Sequence, residues 1–235
     1  MAQPRTLWIT RAQPGADATA ARVAERGLTP VVAPLVAVRR IPDAAVDLTD
    51  AAAIAFTSAN AVDAFAELSP ERGLRVFAVG DATAAAARRH GFGDVFSARG
   101  DVSALAATLA ARRGELAGVI LYPSAAEPAQ DLAAALAPAG LAVRQTAVYE
   151  TLAVRPPAWL VARLPQIDGV LLYSAKAADA LVETLAADPA PHLVAYCLSR
   201  QVAAALGGAE LAGVRIAAAP NEAALLASLQ DGAIA

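Results

Sequence analysis

Short apolar runs of strand length alternate along the chain with longer segments in which Ala, Val and Leu recur at helical spacing, which predicts strands each followed by a helix. A strand is expected at 6–10, a loop at 11–15, and then a helix to Arg26 that Gly27 stops. Residues 28–38 are extended and long. Pro30 and Pro34 demote them from a central strand to an edge or a crossing segment. Strand-helix units follow at 54–57 with 59–68, at 75–79 with 82–90, and at 95–97 with a helix capped by Asp101. Strand 119–122 leads through Pro123 and Ser124 to a helix that ends at Gly140. Residues 141–154 form a second long extended stretch, closed by Arg155-Pro156-Pro157. Units at 169–173, 194–198 and 215–218 complete the series, the last with a helix capped by Asn221. This alternation implies parallel, doubly wound sheets, whose ligands bind at the carboxyl ends of the strands.

The pattern also repeats. Ser58 aligns with Ser174 at an offset of 116, Asp63 and Asp179 keep step, and both serines fall where a helix N-cap would sit. Val79-Gly80-Asp81-Ala82-Thr83 matches Leu198-Ser199-Arg200-Gln201-Val202 at an offset of 119. Residues 103–109 match 223–229 at 120, and Gly27-Leu28 matches Gly140-Leu141 at 113. Four units in one order with slowly drifting offsets indicate a duplicated half, hence two similar α/β lobes in 235 residues.

Composition narrows the function. With 57% hydrophobic but only 5% aromatic residues, the core must be built mainly of Ala, Val and Leu, which suits helices packed on parallel strands. The apolar runs are too short to span a membrane and the first fifteen residues lack an apolar signal segment, so a cytoplasmic protein without membrane contact is expected. Cys197 is the only cysteine, and His90 and His192 lie far apart, which supports neither a disulfide framework nor a zinc site. A net charge of −3 argues against a nucleic-acid surface. An acidic ligand must therefore meet local positive charge. Among the 19 basic residues Lys176 is the one lysine, and it lies in the turn of the second central unit.

Several motifs in order resemble one family. They are Ile9-Thr10-Arg11, the stretch from Gly27 to Pro34-Leu35, Phe56-Thr57-Ser58-Ala59-Asn60-Ala61-Val62, Ala78-Val79-Gly80 with Thr83, and Val148-Tyr149-Glu150-Thr151. Over nearly its whole length the chain resembles the uroporphyrinogen-III synthases. The resemblance implies a cofactor-free cyclising lyase of heme biosynthesis that closes hydroxymethylbilane to uroporphyrinogen III, with loss of water and inversion of ring D. It also implies two flavodoxin-like lobes joined by a two-stranded hinge. Residues 1–36 with 154–235 would form one lobe and 40–146 the other, with hinge segments at about 34–40 and 146–154. A monomer in transient contact with hydroxymethylbilane synthase is the expected state. Ser199-Arg200-Gln201-Val202 departs from the family, which often has glycine and threonine there.

A linear tetrapyrrole rich in carboxylates can be held by helix N-termini, backbone N–H groups and a few basic side chains. Arg11, Ser58, Asn60, Gly80, Ser174 and Lys176 sit at predicted strand-to-helix turns, and Thr57, Thr83, Ser124 and Ser199 join them as substrate-binding candidates. Simpler roles compete: capping for the serines and Asn60, solvation for Arg11 and Lys176. Tyr149 is the candidate for the chemistry, as a weak acid that protonates the departing hydroxyl; the competing role is an aromatic packed on a hinge strand. The sequence carries no P-loop, no Ser-His-Asp set and no G-x-S-x-G elbow around Ser124, and residues 80–83 lack the dinucleotide fingerprint G-x-G-x-x-G. The alternatives are a cytoplasmic two-lobed binding or sensor protein for an anionic small molecule, and a flavin-binding flavodoxin-like module.

Overall fold

The computed structural model describes residues 5–13, 15–128 and 130–229. Its strands in chain order are β1 (Thr6–Ile9), β2 (Thr29–Val32), β3 (Val36–Arg40), β4 (Ala51–Phe56), β5 (Arg75–Ala78), β6 (Val95–Ser97), β7 (Val119–Ala125), β8 (Val143–Ala153), β9 (Gly169–Leu172), β10 (Val194–Cys197) and β11 (Gly213–Ile216). The helices are α1 (Gly15–Ala24), α2 (Ala59–Leu68), α3 (Asp81–Arg89), α4 (Val102–Ala111), α5 (Leu132–Leu136), α6 (Ala158–Val161), α7 (Ala175–Ala187), α8 (Arg200–Ala204) and α9 (Glu222–Ala227). They form two compact units, one taking the chain up to Ala37 and again from Leu152, the other Val38–Thr151. The fold class is α/β with parallel sheets.

The sheet of the first unit runs β11-β10-β9-β1-β2, and every pairing in it is parallel. β1 closes on a strand far along the chain, Leu7 lying opposite Gly169 and Ile9 opposite Leu171. Side chains alternate between two faces. Trp8, Val170 and Leu172 pack with α6, α7 and α8, while Leu7, Ile9 and Leu171 pack with α1 and α9. The Trp8 indole N–H, fully buried, donates to the Ala33 carbonyl at 2.6 Å. β2, which contains Pro30, is an edge strand, where a missing N–H costs nothing.

The second sheet runs β3-β8-β7-β4-β5-β6. From β8 to β6 all pairings are parallel. β3 runs the other way along β8, since Ile41 N–H reaches the Val148 carbonyl and Val154 N–H the Leu35 carbonyl. On one face Ile54 and Phe56 meet Phe65 and Phe92, the Phe56 ring edge-on to Phe65 at 5.7 Å. On the other, Ala53, Ala55 and Phe77 meet Leu105 and Leu109.

The sequence repeat has a topological counterpart. β2-β1-β9-β10-β11 and β8-β7-β4-β5-β6 are the same spatial order, with β4 matching β9, β5 matching β10, and β7-α5-β8 matching β1-α1-β2. In the first unit this is the 2-1-3-4-5 order of flavodoxin-like sheets, and its switch point lies between β1 and β9. In the second the equivalent point lies between β7 and β4.

Several boundaries differ from the sequence reading: β4 begins at Ala51, β11 spans Gly213–Ile216, and the stretch at 28–38 is divided between β2 and β3. The strand expected at 119–122 continues to Ala125, because the pairing of β7 with β4 reaches only Leu121 whereas that with β8 runs on to Ala125. Pro123 therefore sits where the strand is paired on one side, and Ser124 is in a strand rather than a turn. The first helix ends at Ala24, before the expected Arg26, and Gly27 turns the chain at φ +74°.

Candidate active site

In the second unit several candidates gather where β4 and β7 end, beside the middle of β8. Ser58 is extended and caps α2, its Oγ accepting the Ala61 N–H at 3.1 Å. The same Oγ lies 3.0 Å from the Tyr149 hydroxyl, which β8 delivers from two strands away. Beside this pair, the Thr57 hydroxyl lies 3.2 Å from the hydroxyl of Tyr122 on β7. Two phenols on neighbouring strands thus hold consecutive residues of one strand-to-helix turn. Tyr149 is placed by a register shift in the β7–β8 pairing, where Ala125 lies opposite it and Ala126 N–H donates to its carbonyl at 2.8 Å. Tyr149 keeps 8% of its surface exposed; Tyr122 keeps 1%. Burial pushes the Tyr122 phenol above its ordinary pKa, against the opposing hydrogen bond to Thr57. Neighbouring Asn60 lies in the first turn of α2 and is partly exposed.

The other candidates of this unit differ in access. Gly80 is the extended N-cap of α3 and offers backbone only. Thr83 is buried inside that helix. Ser124 is 1% exposed and donates its hydroxyl to the Ala125 carbonyl at 2.8 Å, so strand packing occupies it.

In the first unit Ser174 caps α7 through Ala177 N–H at 3.2 Å, and Ser199 caps α8 through Val202 N–H at 3.3 Å. Lys176 lies in the first turn of α7 and is partly exposed. Arg11 follows β1, its guanidinium 4.5 Å from the centre of the Tyr173 ring that follows β9. An Arg11 nitrogen lies 3.4 Å from both Thr19 and Glu222. Glu222 also accepts from Thr19, from Arg22, and from the Tyr173 hydroxyl at 3.1 Å. Burial, with help from the Glu222 charge, pushes the Tyr173 phenol up to about 12. Tyr122, Tyr173 and Glu222 were not among the sequence candidates. Two of them carried a signal, a tyrosine at the carboxyl end of an apolar strand run.

Among the described residues no group of three or more His, Cys, Asp or Glu side chains is placed to hold a metal, and no helix is long and apolar enough to cross a membrane. The His90–Asp63 pair, at 2.8 Å, ties α2 to the end of α3. The second unit offers hydroxyls and helix N-termini, a set suited to weak-acid proton transfer and anion binding; the first offers capped helix N-termini and a guanidinium, suited to anion binding.

Comparison with known proteins agrees. A family model described as uroporphyrinogen-III synthase HemD matches residues 17–227. No curated protein sequence matches the chain. Among solved structures, uroporphyrinogen-III synthetase of Helicobacter pylori superposes with a TM-score of 0.64 at 18% identity, over 95% of this chain and 96% of that one. Two crystal forms of the Thermus thermophilus synthase cover 96% of this chain and 96% and 95% of their own. Their TM-scores are 0.49 and 0.41, at 19% and 20% identity.

Proposed function

The chain belongs to the uroporphyrinogen-III synthase family, lyases that close hydroxymethylbilane to uroporphyrinogen III with loss of water and inversion of ring D, and from that premise we propose that Tyr149 is its acid. The observation that carries this is Tyr149, a nearly buried residue whose hydroxyl lies 3.0 Å from Ser58 Oγ, beside the carboxyl end of β4. The lone pair of the terminal pyrrole nitrogen expels the hydroxyl as the phenol proton passes to it. Water leaves, and an electrophilic, N-protonated azafulvene remains beside the phenolate. The substituted carbon of ring D attacks to give a spiro intermediate, which reopens and recloses inverted. The proton lost when the last pyrrole regains aromaticity restores the phenol. Ser58, whose oxygen is already held by Ala61 N–H, keeps the phenol oriented.

The substrate also closes without help but without inversion, so most of the enzyme's task is to hold one conformation. Arg11, Thr57, Ser58, Asn60, Gly80, Thr83, Ser124, Ser174, Lys176 and Ser199 are the proposed substrate contacts. The buried Thr83 and Ser124 would act by shaping their turns. We further take the protein to be a cytoplasmic monomer with lobes at 1–36 with 154–235 and 40–146, hinge segments at about 34–40 and 146–154, and a transient contact with hydroxymethylbilane synthase. The test is incubation with fresh hydroxymethylbilane, oxidation, and chromatographic separation of isomers I and III. Isomer III above the uncatalysed background is expected; isomer I alone would overturn the reading.

A further inference from the structure

The cluster around Arg11 contains more than one exposed cation needs. One third of the Arg11 side chain is open to solvent. The rest is fixed on three sides: by the Tyr173 ring, by Thr19 with Glu222, and by Gly15. A Cβ on Gly15 would lie 2.6 Å from Arg11 Nε, 2.8 Å from Cζ and 2.8 Å from Nη2. The absent side chain at the first residue of α1 is therefore the space the guanidinium occupies. Nor is the Arg11 charge consumed locally. Glu222 is satisfied mainly by Arg22, Thr19 and Tyr173, with Arg11 at the longer 3.4 Å, so two guanidiniums face one carboxylate. The cluster also stands at the switch point of its sheet, between the carboxyl ends of β1 and β9, where doubly wound sheets bind ligands.

We infer that Gly15, Tyr173 and Glu222 are positioning residues that hold Arg11 as a preorganised receptor for one carboxylate of the substrate. The inference rests on the synthase reading and deepens it. A fixed guanidinium loses less freedom on gripping a carboxylate than a mobile one, and a planar donor set suits that ligand. Gly15 separates this from a structural role. The atoms that Ala would meet belong to the end of a flexible side chain, so Gly15→Ala displaces Arg11 without breaking the fold. Alanine also favours the helix more than glycine does.

The experiment measures the Kd of uroporphyrin III, the oxidised product, by fluorescence quenching, alongside hydroxymethylbilane kinetics and thermal unfolding. Arg11→Ala should weaken binding about tenfold, the low end for a charge-assisted hydrogen bond because the site is partly exposed, and should flatten the dependence of Kd on ionic strength. Gly15→Ala should weaken binding roughly threefold to tenfold while unfolding no earlier than wild type. The double variant should bind no worse than Arg11→Ala alone. An unchanged Kd in Arg11→Ala, or an equal effect of Gly15→Ala with and without Arg11, overturns the inference. Arg11-dependent binding without turnover in the wild-type protein would instead sink the synthase reading and leave the carboxylate receptor standing.

Discussion

Replacing Tyr149 by phenylalanine removes one oxygen and leaves the ring. That oxygen hydrogen-bonds with Ser58 Oγ at 3.0 Å, which retains its bond from Ala61 N–H. No buried polar atom is orphaned, so the stability cost should be that of one modest hydrogen bond, about 0.5–1.5 kcal/mol. The ring still packs with Ile54, Phe56 and Leu121. The melting temperature should fall by roughly 1–6 °C for a chain of this size. Turnover should fall much further in relative terms, toward the low end of the ~10²–10⁴-fold of a general acid or just below it, because the hydroxyl group departs readily from an electron-rich pyrrole. Isomer III should still dominate what remains, since the shape of the site and not this proton controls inversion. Tyr149→Ala empties a nearly buried site and should cost about 3–5 kcal/mol as well as activity. The assay is initial-rate formation of uroporphyrinogen III with isomer analysis, beside thermal unfolding of both variants. Wild-type turnover in Tyr149→Phe, with loss confined to Tyr149→Ala, would show that the residue only packs and would remove it from the chemistry.

Three other outcomes can be checked on the purified protein. Gly118→Ala should cost about 3 kcal/mol or more in denaturant titration, because Gly118 holds φ +140° and a Cβ there would lie 2.2 Å from the Asp50 carbonyl oxygen. Cys197 is fully buried and its thiol is pushed up to about 11, so alkylation at pH 8 should run at least ~100-fold slower in the native than in the unfolded chain; equal rates would contradict the burial. Tyr173 holds its proton more tightly folded than unfolded, with a pKa of about 12 against an ordinary 10. Its contribution is whole below pH 10 and is lost as pH rises through 12, by about 3 kcal/mol at most, so stability should fall more steeply over that range in wild type than in Tyr173→Phe.

The strand-helix rhythm was legible because parallel strands buried on both faces read as continuous apolar runs, as at residues 54–56 and 170–172. The caps were legible too, since Ser58, Ser174, Asp101 and Asn221 each accept the N–H three residues on. The extension of β7 past Pro123 was not, because proline ends a strand only where both neighbours need its N–H, and which neighbours β7 has is a tertiary fact. Within the candidate site the serines could be named from sequence but their partners could not. Tyr122 meets Thr57 across 65 residues, and Glu222 meets Arg11 across 211. Nothing local marks Gly15 as the space for a guanidinium rather than an ordinary helix start.

The sheet order of the first unit also constrains how the chain acquires its structure. Leu7, Trp8 and Ile9 are fully buried, yet one of the two neighbours of β1 is β9, which ends at Leu172, some 140 residues after Val32 closes β2. At usual rates of synthesis that interval lasts roughly 7–28 s. The segment between is a unit whose own strands are complete by the end of β8, so on the ribosome it can fold first, while the leading β-α-β unit of β1, α1 and β2 waits with its apolar edge uncovered. Long-range closure of this kind leaves one edge of β1 unpaired through that interval, and makes the pairing of Leu7 with Gly169 a late event in the folding of the nascent polypeptide.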